Sequence, residues 1–295
     1  MSFGVLTLAT MDDYLKAIGL ALSLRVSNSD VPLAVACSPK VRPYVAPYFD
    51  LCVDEDPELK GFVHKIHLDR YSPFDETFFF DSDVFIFRPL KGLLNDWRTQ
   101  SYSACGKYTT DGISPFGLDT EAVLRKIGRK ALVQIDGAGH AYFRKPECVA
   151  IFDLARTIAA DYRNYAGNIK FADEDVMNIT MTLLDLRPMP HFDFWSRPLS
   201  ARGKIDIDAT NGKCAFELMD TGQKQEPVMM HFAANEAAFL YVKQLRRLFN
   251  KFGVPARGLT EVALKDFYLR EMKWPIKARV DIFKAWLSEQ RYFSR

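Results

Sequence analysis

Apolar runs and polar breaks alternate along the chain in the rhythm of strand, helix, strand. Phe3 to Ala9 is apolar apart from Thr7, the pattern of a buried strand. Thr10-Met11-Asp12-Asp13 then opens a helical spacing carried by Tyr14, Leu15, Ile18, Leu22 and Val26, with Thr10 as the expected N-cap and Asp13 three residues on. Pro32 to Cys37 reads as a second buried strand. Leu51-Cys52-Val53 reads as a short third, after a connection punctuated by Pro39, Pro43 and Pro47. Phe62 to Leu68 is helical, and Ser72-Pro73-Phe74-Asp75 breaks the pattern before the next strand. This alternation predicts an α/β fold, with a mixed, mostly parallel sheet covered by helices on both faces.

The pattern changes at Thr77-Phe78-Phe79-Phe80-Asp81-Ser82-Asp83-Val84-Phe85-Ile86-Phe87, where two carboxylates one residue apart interrupt an apolar run. That reads as a strand, an acidic corner and a second strand. Two anions so close repel each other, and burial raises their proton affinity, so such a corner implies a cation or hydrogen-bond donors nearby. Carboxylate oxygens suit Mg²⁺ or Mn²⁺, ions that keep open positions for substrate phosphates. A solvated turn between hydrophobic strands is the alternative the motif alone leaves open. Lys65, upstream on the helical stretch, is a cation that could reach phosphates or support the carboxylates.

Further along, a short helix is expected from Arg88 to Trp97, a strand at Tyr102 to Gly106, a loop from Ser114 to Asp119 and a helix from Thr120 to Lys130. In Val133 to Phe143, Gly137-Ala138-Gly139 separates strand-like flanks and permits close approach of backbone to a ligand, or forms a plain turn. Pro146 to Tyr162 is amphipathic. Asp173-Glu174-Asp175 precedes the apolar helical pattern of Val176, Met177, Ile179 and Met181; acids suit a helix N-terminus, although three exceed what the dipole needs. Pro188 to Gln225 reads as irregular with short strands and facing the substrate. Pro227 to Phe232 is a strand ending at His231, followed by a helix from about Glu236 to Phe252.

Composition narrows the class. With 295 residues, 48% hydrophobic and 26% charged, the chain can bury a full core and is not disordered. Its five cysteines are scattered without a CxxC pair, which predicts reduced thiols, a cytoplasmic setting and no zinc cage. Met1-Ser2-Phe3-Gly4-Val5 carries no basic region or cleavage site, and no apolar run approaches about 18 residues, so neither secretion nor a membrane span is expected. The net charge of +2 conceals an asymmetry: residues 241–295 hold 13 Lys or Arg against 5 Asp or Glu, and the rest 26 against 32. In that tail, Phe267, Tyr268, Trp274, Trp286 and Phe293 interleave with Lys265, Arg270, Lys277 and Arg291. Such a tail suits an anionic membrane surface or a helical cap with a solvated basic face. Nucleic acid is not expected as a partner, because the charge elsewhere is acidic. The asymmetry sets a basic, aromatic-rich helical extension over 241–295 apart from a domain over 1–240.

A strand leading into a helix N-terminus, as at Ala9 to Tyr14, is a nucleotide site in α/β folds, and no Gly-rich Rossmann or P-loop sequence is present. In the order of its parts, from about 1 to 240, the chain resembles the GT-A glycosyltransferases. The likeness is greatest to the family 8 retaining enzymes, which include bacterial lipopolysaccharide galactosyltransferases and glycogenin. The resemblance implies the GT-A nucleotide-diphospho-sugar transferase fold and a UDP-sugar donor, with Leu8, Ala9, Thr10 and Tyr14 at the base and Lys65 near the donor. Asp81-Ser82-Asp83 matches the D-x-D motif, with Asp81 near ribose and metal and Asp83 on the metal. Asp136-Gly137-Ala138-Gly139 matches the N-x-G strand without its asparagine, Asp173-Glu174-Asp175-Val176-Met177-Asn178 matches D-Q-D-x-L-N, and His231 matches the late metal ligand. The glycine and Lys-Pro-Trp run that grips the diphosphate in that family is replaced here by Phe232-Ala233-Ala234-Asn235-Glu236-Ala237. The resemblance further implies Mn²⁺ or Mg²⁺ on Asp81, Asp83 and His231, hydroxyl contacts from Asp173 or Asp175, Glu174 near the anomeric carbon, and retention. The acceptor is a saccharide, a lipid-linked sugar or a protein. A catalytically degenerate binding or scaffold protein is the alternative. A sugar nucleotidyltransferase would need a basic Gly-rich loop after the first strand, and a haloacid-dehalogenase phosphatase would need Thr or Val where Phe85 stands.

Overall fold

The computed structural model describes residues 2–137, 139–191, 193–273 and 276, excepting the side chain of Ala234. The strands are β1 (Phe3–Ala9), β2 (Leu33–Cys37), β3 (Leu51–Asp54), β4 (Glu76–Phe80), β5 (Val84–Ile86), β6 (Tyr102–Ser103), β7 (Gly106–Thr109), β8 (Leu132–Ile135), β9 (His140–Arg144), β10 (Trp195–Ser196), β11 (Ala201–Asp208), β12 (Lys213–Leu218), β13 (Lys224–Gln225) and β14 (Met229–His231). The longer helices are α1 (Tyr14–Ser27), α2 (Thr120–Ile127), α3 (Cys148–Ala160), α4 (Asp173–Leu183), α5 (Ala238–Lys251) and α6 (Leu259–Phe267).

A six-stranded sheet in the order β3-β2-β1-β4-β9-β6 forms the centre. β1 pairs in parallel with β2 and β4, and β2 with β3, whereas β9 runs antiparallel to both of its neighbours. The expected mixed, mostly parallel sheet is therefore present. Alternation along the strands feeds two cores. Val5, Phe78 and Phe80 point into the core shared with α1 and α5, while Leu6 and Phe79 point into the one shared with α3 and α4. With both faces covered, the central strands read as unbroken apolar runs. Chain order reverses between β1 and β4, since β2 and β3 lie to one side and β4 to the other. At such a switch point the loops after adjacent strand ends diverge and leave a crevice. Here those loops are Thr10–Asp13 and Asp81–Asp83.

Several local expectations shift. Helix α1 starts at Tyr14: the Thr10 N–H and hydroxyl both donate to Asp13 Oδ1, at 2.6 and 2.7 Å, forming a tight turn ahead of the helix. The strand after the acidic corner, β5, pairs with β14 in a separate three-stranded sheet with β10. Phe62 lies in a 3₁₀ segment, Gly61–His67. The stretch expected to be irregular contains the hairpin β11–β12, whose Ile207, Cys214 and Phe216 join the core of α1. Helix α5 begins at Ala238 rather than Glu236, because Asn235 and Ala237 adopt positive φ (57° and 48°) and turn the chain first. The boundary at 240 thus falls inside α5. The two C-terminal helices pack into the α1 core through Leu245, Leu248, Phe249, Leu259 and Ala263. Trp274, Lys277, Trp286, Arg291 and Phe293 lie outside the described residues. Among the described residues no helix is long and apolar enough to cross a membrane, and all five cysteines are free.

Phe78, fully buried on β4, contacts the rings of Phe3, Phe80, Trp97, Tyr142 and Phe194 at centroid distances of 5.9, 5.8, 5.1, 5.5 and 6.0 Å. Phe78→Ala is expected to cost about 3–5 kcal/mol in chemical denaturation, because the surrounding rings cannot collapse into the cavity. A loss below about 1 kcal/mol would contradict this packing.

Candidate active site

The acidic corner is pinned by backbone from both sides. The Asp81 N–H donates to the Gly139 carbonyl at 2.9 Å, and the Phe232 N–H donates to the Asp83 carbonyl at 3.0 Å. β14 lies antiparallel to β5 with His231 opposite Val84, which carries the imidazole across to the corner. His231 Nε2 sits 3.0 Å from Asp83 Oδ1 and 3.7 Å from Asp81 Oδ2. One ligand atom from each of Asp81, Asp83 and His231 lies within 4.8 Å of the others. Donors on one ion with bonds of about 2 Å stand roughly 3 to 4 Å apart, so small shifts would bring these atoms onto one ion, and the two carboxylates suit Mn²⁺ or Mg²⁺, with the imidazole favouring the softer Mn²⁺. Gly139 makes room for the ring: a Cβ at this position would stand 2.3 Å from His231 Cε1.

Charge is compensated locally. Burial opposes ionisation of Asp83, but the His231 imidazole, with Lys16 and Lys65 beyond it, outweighs burial and holds the carboxyl down at about 2. Lys65 Nζ bridges Asp81 Oδ2 at 2.8 Å and Asp173 Oδ2 at 3.7 Å. Burial disfavours this ammonium, yet Asp81 and Asp173 more than offset the cost and raise its pKa. Asp173, at the N-terminus of α4, is pushed up by burial against the opposing pull of Lys65.

Two cavities meet at this cluster. The smaller, about 270 Å³, is lined by Leu8, Thr10, Asp13, Lys16, Phe62, Lys65, Asp81, Ser82 and Asp83. The larger, about 550 Å³, shares Phe62, Lys65, Asp81 and Asp83, and adds Phe116, Asp136, Gly137, Asp173, Glu174, Trp195, Arg197 and His231. Asp81 and Asp83 stand on the boundary between them.

The other expected residues occupy varied places. Ala9 is buried at the end of β1. Tyr14 lines neither cavity and packs on Tyr44 at a ring-centroid distance of 5.0 Å. Gly137, with φ of 61°, lies on the larger cavity; Ala138 is outside the described residues. Within the acidic triplet, Asp173 and Glu174 face the larger cavity, whereas Asp175 is turned inward and accepts from the Tyr162 hydroxyl at 3.0 Å. Burial pushes Asp175 up. Asn178 Oδ1 accepts from the Ile135 N–H at 2.8 Å and so ties α4 to β8.

The sequence reading missed Lys16, Trp195 and Arg197, and treated Asp13 as a helix cap alone. Asp13 accepts from the Ser82 hydroxyl at 3.1 Å, linking the helix entry to the acidic corner. Asp136 is paired with His191, and Arg197 with the buried Glu236. The one available signal was spacing: Lys16 stands three residues after Asp13, on the same side of α1.

No family model matches the chain, and a search of curated proteins finds no match. Solved structures do match. The galactosyltransferase LgtC in complex with donor and acceptor sugar analogues is similar with a TM-score of 0.52 at 17% identity, over 89% of this chain and 95% of LgtC. An active-site mutant of LgtC gives 0.54 at 16%, over 84% and 95%. The bifunctional glycosyltransferase WbbM gives 0.53 at 10%, over 85% of this chain and 51% of WbbM. The apo form of GlyE from Streptococcus pneumoniae gives 0.51 at 12%, over 86% and 63%. At these identities the likeness is one of fold, and the fold is that of the GT-A glycosyltransferases.

Gly139→Ala forces the His231 ring away from the corner. Mn²⁺ affinity measured by calorimetry should fall at least about tenfold, as when a ligand loses its orientation, with the far-UV circular dichroism unchanged. Undiminished affinity would remove His231 from the ligand set.

Proposed function

We propose that the chain is a metal-dependent glycosyltransferase that moves a sugar from a UDP-sugar to an acceptor hydroxyl with retention of anomeric configuration. The observation that carries this reading is the meeting of Asp81 and Asp83, on the boundary between two cavities, with the distant His231, on the larger of them, in a GT-A fold. The smaller cavity, at the ends of β1 and β4, suits the nucleoside. The larger one, with its aromatic walls and carboxylates, suits the sugar and the acceptor saccharide. Residues 1–240 would form the catalytic part and 241–295 an extension, whose helices α5 and α6 pack into the α1 core.

Breaking the anomeric C–O bond builds positive charge on the sugar and negative charge on the leaving diphosphate, so stabilisation of the leaving group is the main requirement. Mn²⁺ or Mg²⁺ held by Asp81, Asp83 and His231 would supply Lewis-acid stabilisation of the diphosphate oxygens. Lys65 bridges Asp81 and Asp173 and holds the two carboxyl groups close together. Asp173 and Glu174, on the larger cavity, would accept hydrogen bonds from sugar hydroxyls, with Glu174 nearest the anomeric carbon. Asp175 would serve from behind, through its bond to Tyr162, by fixing the first turn of α4.

Asp83→Asn should abolish Mn²⁺-dependent UDP binding and slow the release of UDP from a UDP-sugar by at least about 100-fold. Chelation should do the same to the unmodified protein, and activity that survives both treatments would overturn the metal assignment. Early-time proton NMR of the new glycoside should show the anomeric coupling of the donor; an inverted anomer would overturn retention.

A further inference from the structure

Lys16 is a charged side chain where burial disfavours charge. It is 9% exposed and lines the smaller cavity beside Asp13, Asp81 and Asp83. Its ammonium stands 2.7 Å from Asp266 Oδ2 on α6 and donates to Asn235 Oδ1 at 3.3 Å. It also lies 5.8 Å from the centroid of the Tyr241 ring. Asp266, 5% exposed, supports it from behind and does not line the cavity. A pair this dry adds little stability over an apolar replacement of the same size, because the desolvation of both ions offsets their attraction. Fold stability therefore does not account for the placement; the cavity does.

The charge balance points the same way. A single divalent ion on Asp81 and Asp83 is already offset by two carboxylates, so a diphosphate arriving there needs a further cation. Lys65 is committed to Asp81 and Asp173, and Arg197 to Glu236. Asp266 and Asn235 take two of the three N–H donors of Lys16 among the described residues. Asn235, at φ of 57°, holds its amide toward Lys16 from the turn that follows His231.

We propose that Lys16 binds the donor's diphosphate and that Asp266, on the C-terminal helix α6, positions it. This assignment rests on the donor reading above. It makes α6 part of the donor site: the helix supplies no ligand itself, yet holds the ammonium at the cavity wall. Uridine, which lacks phosphate, should be indifferent to Lys16.

The test is calorimetric titration of the full chain with UDP and with uridine, each with Mn²⁺, for the unmodified protein, Lys16→Met, Lys16→Arg and Asp266→Asn. Lys16→Met should weaken UDP by about 10- to 100-fold, the range for loss of one charge-assisted hydrogen bond, and leave uridine within twofold. Lys16→Arg should recover part of the UDP affinity. Asp266→Asn should weaken UDP about 3- to 10-fold, again sparing uridine, and it carries the test if Lys16→Met fails to fold. UDP affinity within threefold of the unmodified protein, or equal losses for UDP and uridine, would overturn the assignment while leaving the donor reading intact. Failure of the unmodified protein to bind UDP would overturn both.

Discussion

The structure depends on compensating several carboxylates forced together where two parallel strands end. β1 and β4 lie side by side at the reversal of the sheet, so the acids at Asp13, Asp81 and Asp83 converge with Asp173 from α4. Coulomb repulsion among them in a partly dry crevice would be large without countercharge. Lys65 and Lys16 supply it, each from a different element, and the His231 ring lies against Asp83. The cost of assembling like charges is met by buried cations, and the result is a preorganised set of oxygens facing open space.

Precision comes from backbone. The Gly139 and Phe232 contacts fix the corner, and Gly139 itself lets an imidazole lie against the main chain. The same loop supplies Asp136 and Gly137 to the larger cavity, so one segment sets both the ligand cluster and the wall beside it. The C-terminal helices belong to this arrangement rather than hanging from it: α5 packs on α1, and α6 reaches the cavity wall through Asp266. The pair of Lys16 on α1 and Asp266 on α6 is a coupling that a boundary drawn at 240 would cut.

Local pattern made much of this legible. The apolar run before Asp81, the helix opening at Asp173 and the strand ending in His231 each announce themselves within a few residues, and the GT-A order of parts follows. What escaped the sequence depends on distance. Lys16 and Asn235 are 219 positions apart, and nothing in either neighbourhood signals the other. Period 3.6 separates Asp175 from the cavity that Asp173 and Glu174 face, a distinction that three consecutive acids conceal until the helix is placed. Short strands were expected in this stretch, but the pairing of β11 with β12 was not legible, because charged positions such as Arg202, Lys204 and Asp206 mask the inward Ile207, Cys214 and Phe216.

The central claim is that one divalent ion is held jointly by the acidic corner and the distant imidazole. Anomalous diffraction at the manganese edge, from crystals of the full chain soaked with MnCl₂ and UDP, tests it most directly. The account predicts a peak about 2.0–2.3 Å from an Asp83 carboxylate oxygen and from His231 Nε2, with nucleotide density in the smaller cavity. Nucleotide density there without such a peak, or a peak bound elsewhere, would contradict it.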